Sequence, residues 1–194
     1  VGKKDVARKI LMTMLAGGHV LLEDIPGVGK TTLAVAFSNA TDLQYKRIQF
    51  TPDVLPSDIT GFSIFHRETG AMEYQPGAAI CNLLLADEIN RASSRTQSAL
   101  LEAMEEGSVT VDGVTHLIPQ PFTVIATQNP TGSAGTQLLP DSQLDRFMMR
   151  LSIGYPEPAA EREMLRRKHG ENHGQAVRKV ADAAALLTMR DEVS

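Results

Sequence analysis

The sequence predicts an α/β fold, and two stretches carry that expectation. Val20-Leu21-Leu22 is a short apolar run that leads into a glycine-bearing loop, after which a helical pattern opens on Lys30-Thr31-Thr32. Leu83-Leu84-Leu85-Ala86 is a second apolar run, of the kind found in strands covered on both faces, and it ends in Asp87-Glu88. Ligands of α/β sheets bind at the carboxyl ends of the strands. If the strands leading to Lys30 and Asp87 lie side by side, the two loops share one crevice.

The first loop has the layout of a phosphate-binding P-loop, G-x-x-x-x-G-K-[ST]. Gly27, Gly29, Lys30 and Thr31 match in place, whereas Asp24 stands where the first glycine is expected. That departure is tolerable, because the N–H groups nearest a β-phosphate come from Gly27 to Thr31. Glycines let successive backbone N–H groups turn inward around an anion, and the helix N-terminus adds partial positive charge. Pro26, Gly27, Val28, Gly29, Lys30, Thr31 and Thr32 are therefore the candidate nucleotide-binding residues. Lys30 reaches the outer phosphates and the Thr31 hydroxyl faces Mg²⁺. The competing reading is a glycine-rich turn that binds nothing.

The remaining elements follow in order. Asp5 to Ala16 is a helix, with Val6, Ile10 and Met14 at helical spacing and Gly17-Gly18 as its stop. Leu33, Phe37 and Ala40 form the apolar stripe of the helix after the loop, and Tyr45 to Phe50 is a second strand. Residues 51–77 are punctuated by Pro and Gly, and read as a structured insertion or a long loop. Ser94-Arg95-Thr96-Gln97 has the form of a capping box, and Gly107 ends the helix it opens. Val109 to His116 is a hairpin around Asp112-Gly113, and Phe122 to Thr127 is a strand delivering Gln128-Asn129-Pro130. Ser142 to Phe147 is a short helix and Met149 to Ile153 a final strand, with Met148-Met149 in the core. Beyond Pro156 and Pro158 the composition turns charged and Ala-rich, with helices near 158–169 and 175–190 that begin a second, helical unit.

Bulk properties bound the function classes. The 194 residues fit one domain, or one domain plus a fragment of another, and 42% hydrophobic content supports a real core. No apolar run approaches the ~20 residues that span a bilayer. A single cysteine, Cys81, excludes an internal disulfide and suits a reducing, cytoplasmic setting. It reads as buried filler. A net charge of −4 gives no electrostatic footprint for nucleic acid. The chain lacks an initiator Met, so a trimmed piece of a longer protein is expected.

The acidic pair supplies the second half of a phosphoryl-transfer site. Asp87 holds Mg²⁺ through its water shell, since Mg²⁺ prefers few protein carboxylates plus phosphate oxygens. Glu88 polarises a water for in-line attack on the γ-phosphorus. Asn129 either contacts the γ-phosphate and attacking water or forms a turn before Pro130. Arg146 is a candidate arginine finger for a neighbouring subunit, although the residues alone favour a surface Arg paired with Asp145 or Asp141. His169 and His173 are spaced i,i+4, but Gly170 and Gly174 interrupt any helix that would align them on a metal.

Taken together, these stretches resemble the MoxR family of AAA+ ATPases. The resemblance runs through GGHVLLEDIPGVGKTTLA, FTPDVLPSDITGFSIF and NLLLADEINRASSRTQSALLEAMEE, then VTVDG, PFTVIATQNP and LLPDSQLDRFMMRLSIGYP. It covers about positions 1–156, and DEINRA and QLDRF are far more specific than a P-loop alone. It implies a P-loop NTPase three-layer αβα core with a five-stranded parallel sheet over 1–156. Residues 157–194 then begin an α-helical lid that the sequence cuts off. It further implies ATP and Mg²⁺ as ligands, a homo-oligomeric ring (commonly a hexamer), and hydrolysis at subunit boundaries. By the same resemblance, Gly27 to Thr32 look like Walker A, Asp87 and Glu88 like Walker B, and Asn129 like sensor 1. Arg146 looks like the trans-acting finger, which reverses the preference above. Residues 61–77 resemble the family's insertion in helix 2 and 107–117 its pre-sensor hairpin, both facing the ring's working surface. The lid's second sensor arginine is missing, so weak nucleotide binding or poor assembly is expected of the chain as written.

The expected function is a Mg²⁺-dependent ATPase motor that remodels a partner protein, chaperone-like, with a von Willebrand factor A-domain protein as the family's frequent partner. A magnesium-chelatase-like motor subunit is the rival of the same class. A nucleotide-binding scaffold without turnover is the rival of another class, and Glu88 argues against it. A nucleic-acid helicase is disfavoured by the acidic balance.

Overall fold

A computed structural model describes residues 3–23, 29–129, 138–154 and 177–193. Its core is a five-stranded parallel sheet made of β1 (Val20–Glu23), β2 (Tyr45–Gln49), β5 (Leu83–Asp87), β8 (Thr123–Gln128) and β9 (Met149–Leu151). Their order across the sheet is β2-β5-β8-β1-β9. The strands leading to Lys30 and Asp87 are therefore not side by side. β8 lies between them, pairing Leu22 with Thr127 on one edge and Ala86 with Ala126 on the other.

Alternation of side chains along a strand divides this sheet into two buried faces. Val20, Leu22, Leu83, Leu85 and Ile125 point to one side. There they meet Ile10 and Met14 of α1 (Lys4–Leu15), Ala34 of α2 (Lys30–Thr41) and Leu186 of α6 (Ala183–Val193). Leu21, Leu84, Ala86, Val124 and Ala126 point to the other side. They meet Ile59 of α3 (Pro56–Thr60) and Leu100, Leu101 and Met104 of α4 (Ser94–Glu106). The result is a three-layer αβα sandwich. Each fully buried Leu of this kind contributes about 1.5–3 kcal/mol relative to exposure, which is why the central strands are apolar throughout.

Residues 51–77 form structure of their own. Pro56 opens α3, and the Asp58 carboxylate accepts the Leu55 N–H at 2.8 Å, satisfying a donor at the helix start. β3 (Gly61–His66) and β4 (Ala71–Pro76) then make an antiparallel hairpin. A second hairpin joins β6 (Ser108–Val111) and β7 (Val114–Leu117), with Asp112 and Gly113 both at positive φ as a tight two-residue turn requires. Tyr74 and His116 stack face to face, ring centroids 3.6 Å apart, and link one hairpin to the other.

Several local expectations shift. The cap of α4 is Ser93, one residue earlier than the box beginning at Ser94; its hydroxyl accepts the Thr96 N–H at 3.3 Å. Gln97 instead donates to the carbonyls of Ile89 and Ala92. The short helix α5 is Asp141–Leu144, and Phe147 beyond it is buried in the core. Met148, expected inside, is 51% exposed, because the chain turns there to bring Met149 into β9. Residues 177–182 carry no helix, and the expected 175–190 helix occupies Ala183–Val193 instead. Val180 and Ala181 donate to the Ala40 carbonyl, tying this segment to the end of α2. The expected helix near 158–169, the pair His169 and His173, and the boundary at residue 156 lie outside the described residues. Among the described residues, no helix is long and apolar enough to cross a membrane.

Candidate functional site

The face that buries Tyr45, Leu83, Leu85 and Ile125 changes character at its carboxyl edge. Along the same alternating positions stand Arg47 and Gln49 of β2, Asp87 of β5 and Thr127 of β8. The N-terminus of α2 covers this polar margin. Gly29 caps that helix at φ +90°, a conformation costly for any residue with a Cβ. Gly29, Lys30, Thr31, Thr32, Arg47, Gln49, Asp87, Glu88 and Thr127 together line a cleft of about 340 Å³. Pro26, Gly27 and Val28 lie outside the described residues.

Asp87 is almost buried, and both of its oxygens are engaged. Arg47 Nε donates to Oδ2 at 2.8 Å, and the Thr127 hydroxyl donates to Oδ1 at 3.3 Å. The Thr127 oxygen also accepts the Glu88 N–H at 2.9 Å. Glu88 takes a left-handed backbone, φ 55°, unusual for a side chain of its size. This bend starts the 3₁₀ turn Ile89–Arg91, and Arg91 returns to pair with the Glu88 carboxylate at 3.0 Å. Glu23, at the end of β1, is held by Gln128 at 2.6 Å and Arg150 at 2.8 Å. The strand that feeds the loop is thereby braced on both flanks.

Asn129 follows β8 two residues past Thr127, and its carbonyl accepts from Asn90 at 3.5 Å. It is not among the residues lining the cleft. Arg146 lies elsewhere, in a second hollow of about 360 Å³ shared with His19, Met104, Glu105, Ser142 and Asp145. Its partner is Glu105 of α4, not the expected Asp145 or Asp141. Beneath that hollow, His19 bridges two elements: Nε2 meets the Met104 carbonyl at 3.1 Å, and Nδ1 accepts the Val124 N–H at 3.0 Å. Burial lowers its pKa below 6.5, an effect partly opposed by the bond to Met104.

Sequence reasoning missed Arg47, Gln49 and Thr127. The signal for the first two was the polar i,i+2 pair at the end of a strand whose earlier residue on that face, Tyr45, is aromatic and packs against the core. Thr127 had no signal beyond its place at a strand end.

The donor set suits Mg²⁺. Thr31 and Asp87 offer hard oxygens at the helix start, and no group of three or more His, Cys, Asp or Glu that could hold a metal occurs among the described residues. Mg²⁺ needs no such cage, because it keeps several waters and takes phosphate oxygens for the rest.

Comparison with known proteins agrees with this fold. The sequence pattern of the ATPase family associated with various cellular activities (AAA) matches residues 19–149. An uncharacterized protein of Bacillus subtilis, YeaC, is 57% identical over 165 residues, covering 85% of this chain and 52% of the relative. The chaperone MoxR1 of Mycobacterium tuberculosis is 44% identical over 167 residues, covering 86% of this chain and 44% of the relative. The chain thus spans about half the length of the curated relatives it matches. A crystal structure of a proposed ATPase from Cytophaga hutchinsonii superposes with a TM-score of 0.90 at 41% identity, covering 100% of this chain and 58% of that one. This chain belongs to the MoxR family of AAA+ ATPases.

Proposed function

We propose that this chain is the ATP-hydrolysing core of a MoxR-type AAA+ motor that uses Mg²⁺-dependent turnover to remodel a partner protein. One observation carries the reading: the start of α2 and the pair Asp87-Glu88 line the same cleft. Backbone N–H groups and the dipole of α2 attract the phosphates, and Lys30 adds a positive charge. The Thr31 hydroxyl and Asp87 would hold Mg²⁺ through its water shell, and the ion would supply neutralisation of the phosphate charge. Glu88 orients and deprotonates the attacking water, with its backbone fixed by the bond to Thr127. Asn129, one residue past β8 and outside the cleft lining, is assigned as sensor 1 by the family resemblance.

Arg146 completes the site of a neighbouring copy. Its position away from its own chain's cleft fits that role, and the working unit in our reading is a hexameric ring. The two hairpins expose Phe62, Phe65, Met72, Val114 and Leu117, the residues we assign to gripping a client. A von Willebrand factor A-domain partner and a cytoplasmic location belong to the same proposal. In the same reading a lid begins beyond residue 156, and its described helix α6 packs Leu186 against the core. A magnesium-chelatase-like subunit shares this chemistry and differs in its partner.

One contact favours a second reading, an ATP-holding scaffold: the Glu88 carboxylate is already engaged by Arg91. Steady-state phosphate release by the full-length protein separates the two. The motor reading expects Glu88→Gln to cut release about 10²–10⁴-fold with ATP binding retained. Equal, negligible rates in wild type and variant, with ATP bound, select the scaffold.

A further inference from the structure

We infer that Arg47 is the resident counter-cation of Asp87, and that it competes with the divalent metal for that carboxylate as nucleotide enters. This rests on the Mg²⁺–nucleotide reading of the cleft. Arg47 Nε sits 2.8 Å from Asp87 Oδ2, and a terminal nitrogen of the same guanidinium reaches Gln49 Oε1 at 3.4 Å. The two partners differ in freedom. The Asp87 side chain is 10% exposed and pinned by Thr127, whereas that of Arg47 is 47% exposed. The carboxylate is fixed and the cation can leave.

Charge dictates the rest. A nearly buried carboxylate without a counter-cation is costly, so Arg47 stabilises Asp87 in the structure described. A guanidinium and a divalent ion on one carboxylate repel each other. Metal entry therefore weakens the Arg47–Asp87 pair and releases the guanidinium into a cleft that Arg47 itself lines. Phosphate oxygens are its natural acceptors there, since a guanidinium binds phosphate as readily as carboxylate. Arg47 thus has two opposite effects. It raises the metal concentration needed to load the site, and it strengthens binding of nucleotide that arrives without metal.

The opposite signs provide the test. A fluorescent ATP analogue is titrated into the full-length protein across a Mg²⁺ series and, separately, in EDTA, for wild type, Arg47→Gln and Arg47→Lys. Arg47→Gln is expected to lower the Mg²⁺ half-point about tenfold, the scale of one charge-assisted contact, while weakening binding in EDTA. Arg47→Lys, which keeps the charge but not the planar fork, should fall between. A cleft merely damaged by the substitution weakens binding in both conditions, and that result overturns the inference. So does an unmoved half-point. A wild-type protein that binds no nucleotide at any Mg²⁺ concentration overturns the nucleotide reading itself, a separate failure.

Discussion

Thr127 accepts the backbone N–H of Glu88 at 2.9 Å while donating to Asp87 at 3.3 Å. One buried hydroxyl on the middle strand therefore sets the backbone of one acidic residue and the carboxylate of the other.

That relationship predicts the effect of removing the hydroxyl. Thr127→Val preserves shape but leaves a partly buried N–H and one side of Asp87 unpartnered. It is expected to cost about 1–3 kcal/mol in urea unfolding and to lower phosphate release. Thr127→Ser should recover most of both. Wild-type stability in the valine variant would show that the hydroxyl contributes nothing.

A shared site makes a prediction about mixtures. Lys30→Ala spoils the cleft of its own chain, and Arg146→Ala spoils the finger offered to a neighbour. Mixing the two in full-length form should restore part of the hydrolysis that each lacks alone. Absence of rescue at every mixing ratio, with assembly verified by light scattering, would assign Arg146 to its Glu105 contact alone.

His19 predicts the acid limb of the stability curve. Its pKa is lowered in the folded chain by burial, and its Nδ1 must stay unprotonated to accept from Val124. The unfolded chain therefore binds the proton first as pH falls below about 6.5, and stability declines from there downward. Above that pH the contribution is complete. His19→Gln is expected to be less stable at pH 8 but to lose its share of the slope, measured as the urea midpoint against pH.

What was legible in the sequence was local. The Asp112-Gly113 turn, the stop at Gly107 and the apolar β5 each announce themselves within a few residues, because turn chemistry and burial pattern are short-range. The loop before Lys30 and the pair Asp87-Glu88 could also be read singly. How they meet could not. The insertion of β8 between β1 and β5 is a long-range choice, and the place of Thr127 in the site depends on it. Arg47 was equally hidden: its neighbour Asp87 is 40 positions away and becomes a neighbour only through the β2–β5 pairing. The Ser93 cap differs for a smaller reason: Ser93 and Ser94 are adjacent, and only the structure shows which hydroxyl accepts the helix N–H.

Cys81 is fully enclosed between Ala79 and the start of β5, and burial pushes its thiol up to about 12. Since the sequence holds only this thiol, thiol-selective probes have nothing to attack until that region opens. The rate of maleimide capture is therefore a built-in clock for local opening of the central layer. Cysteines placed elsewhere, on a hairpin tip or beside Arg146, can be labelled selectively without first deleting the native one.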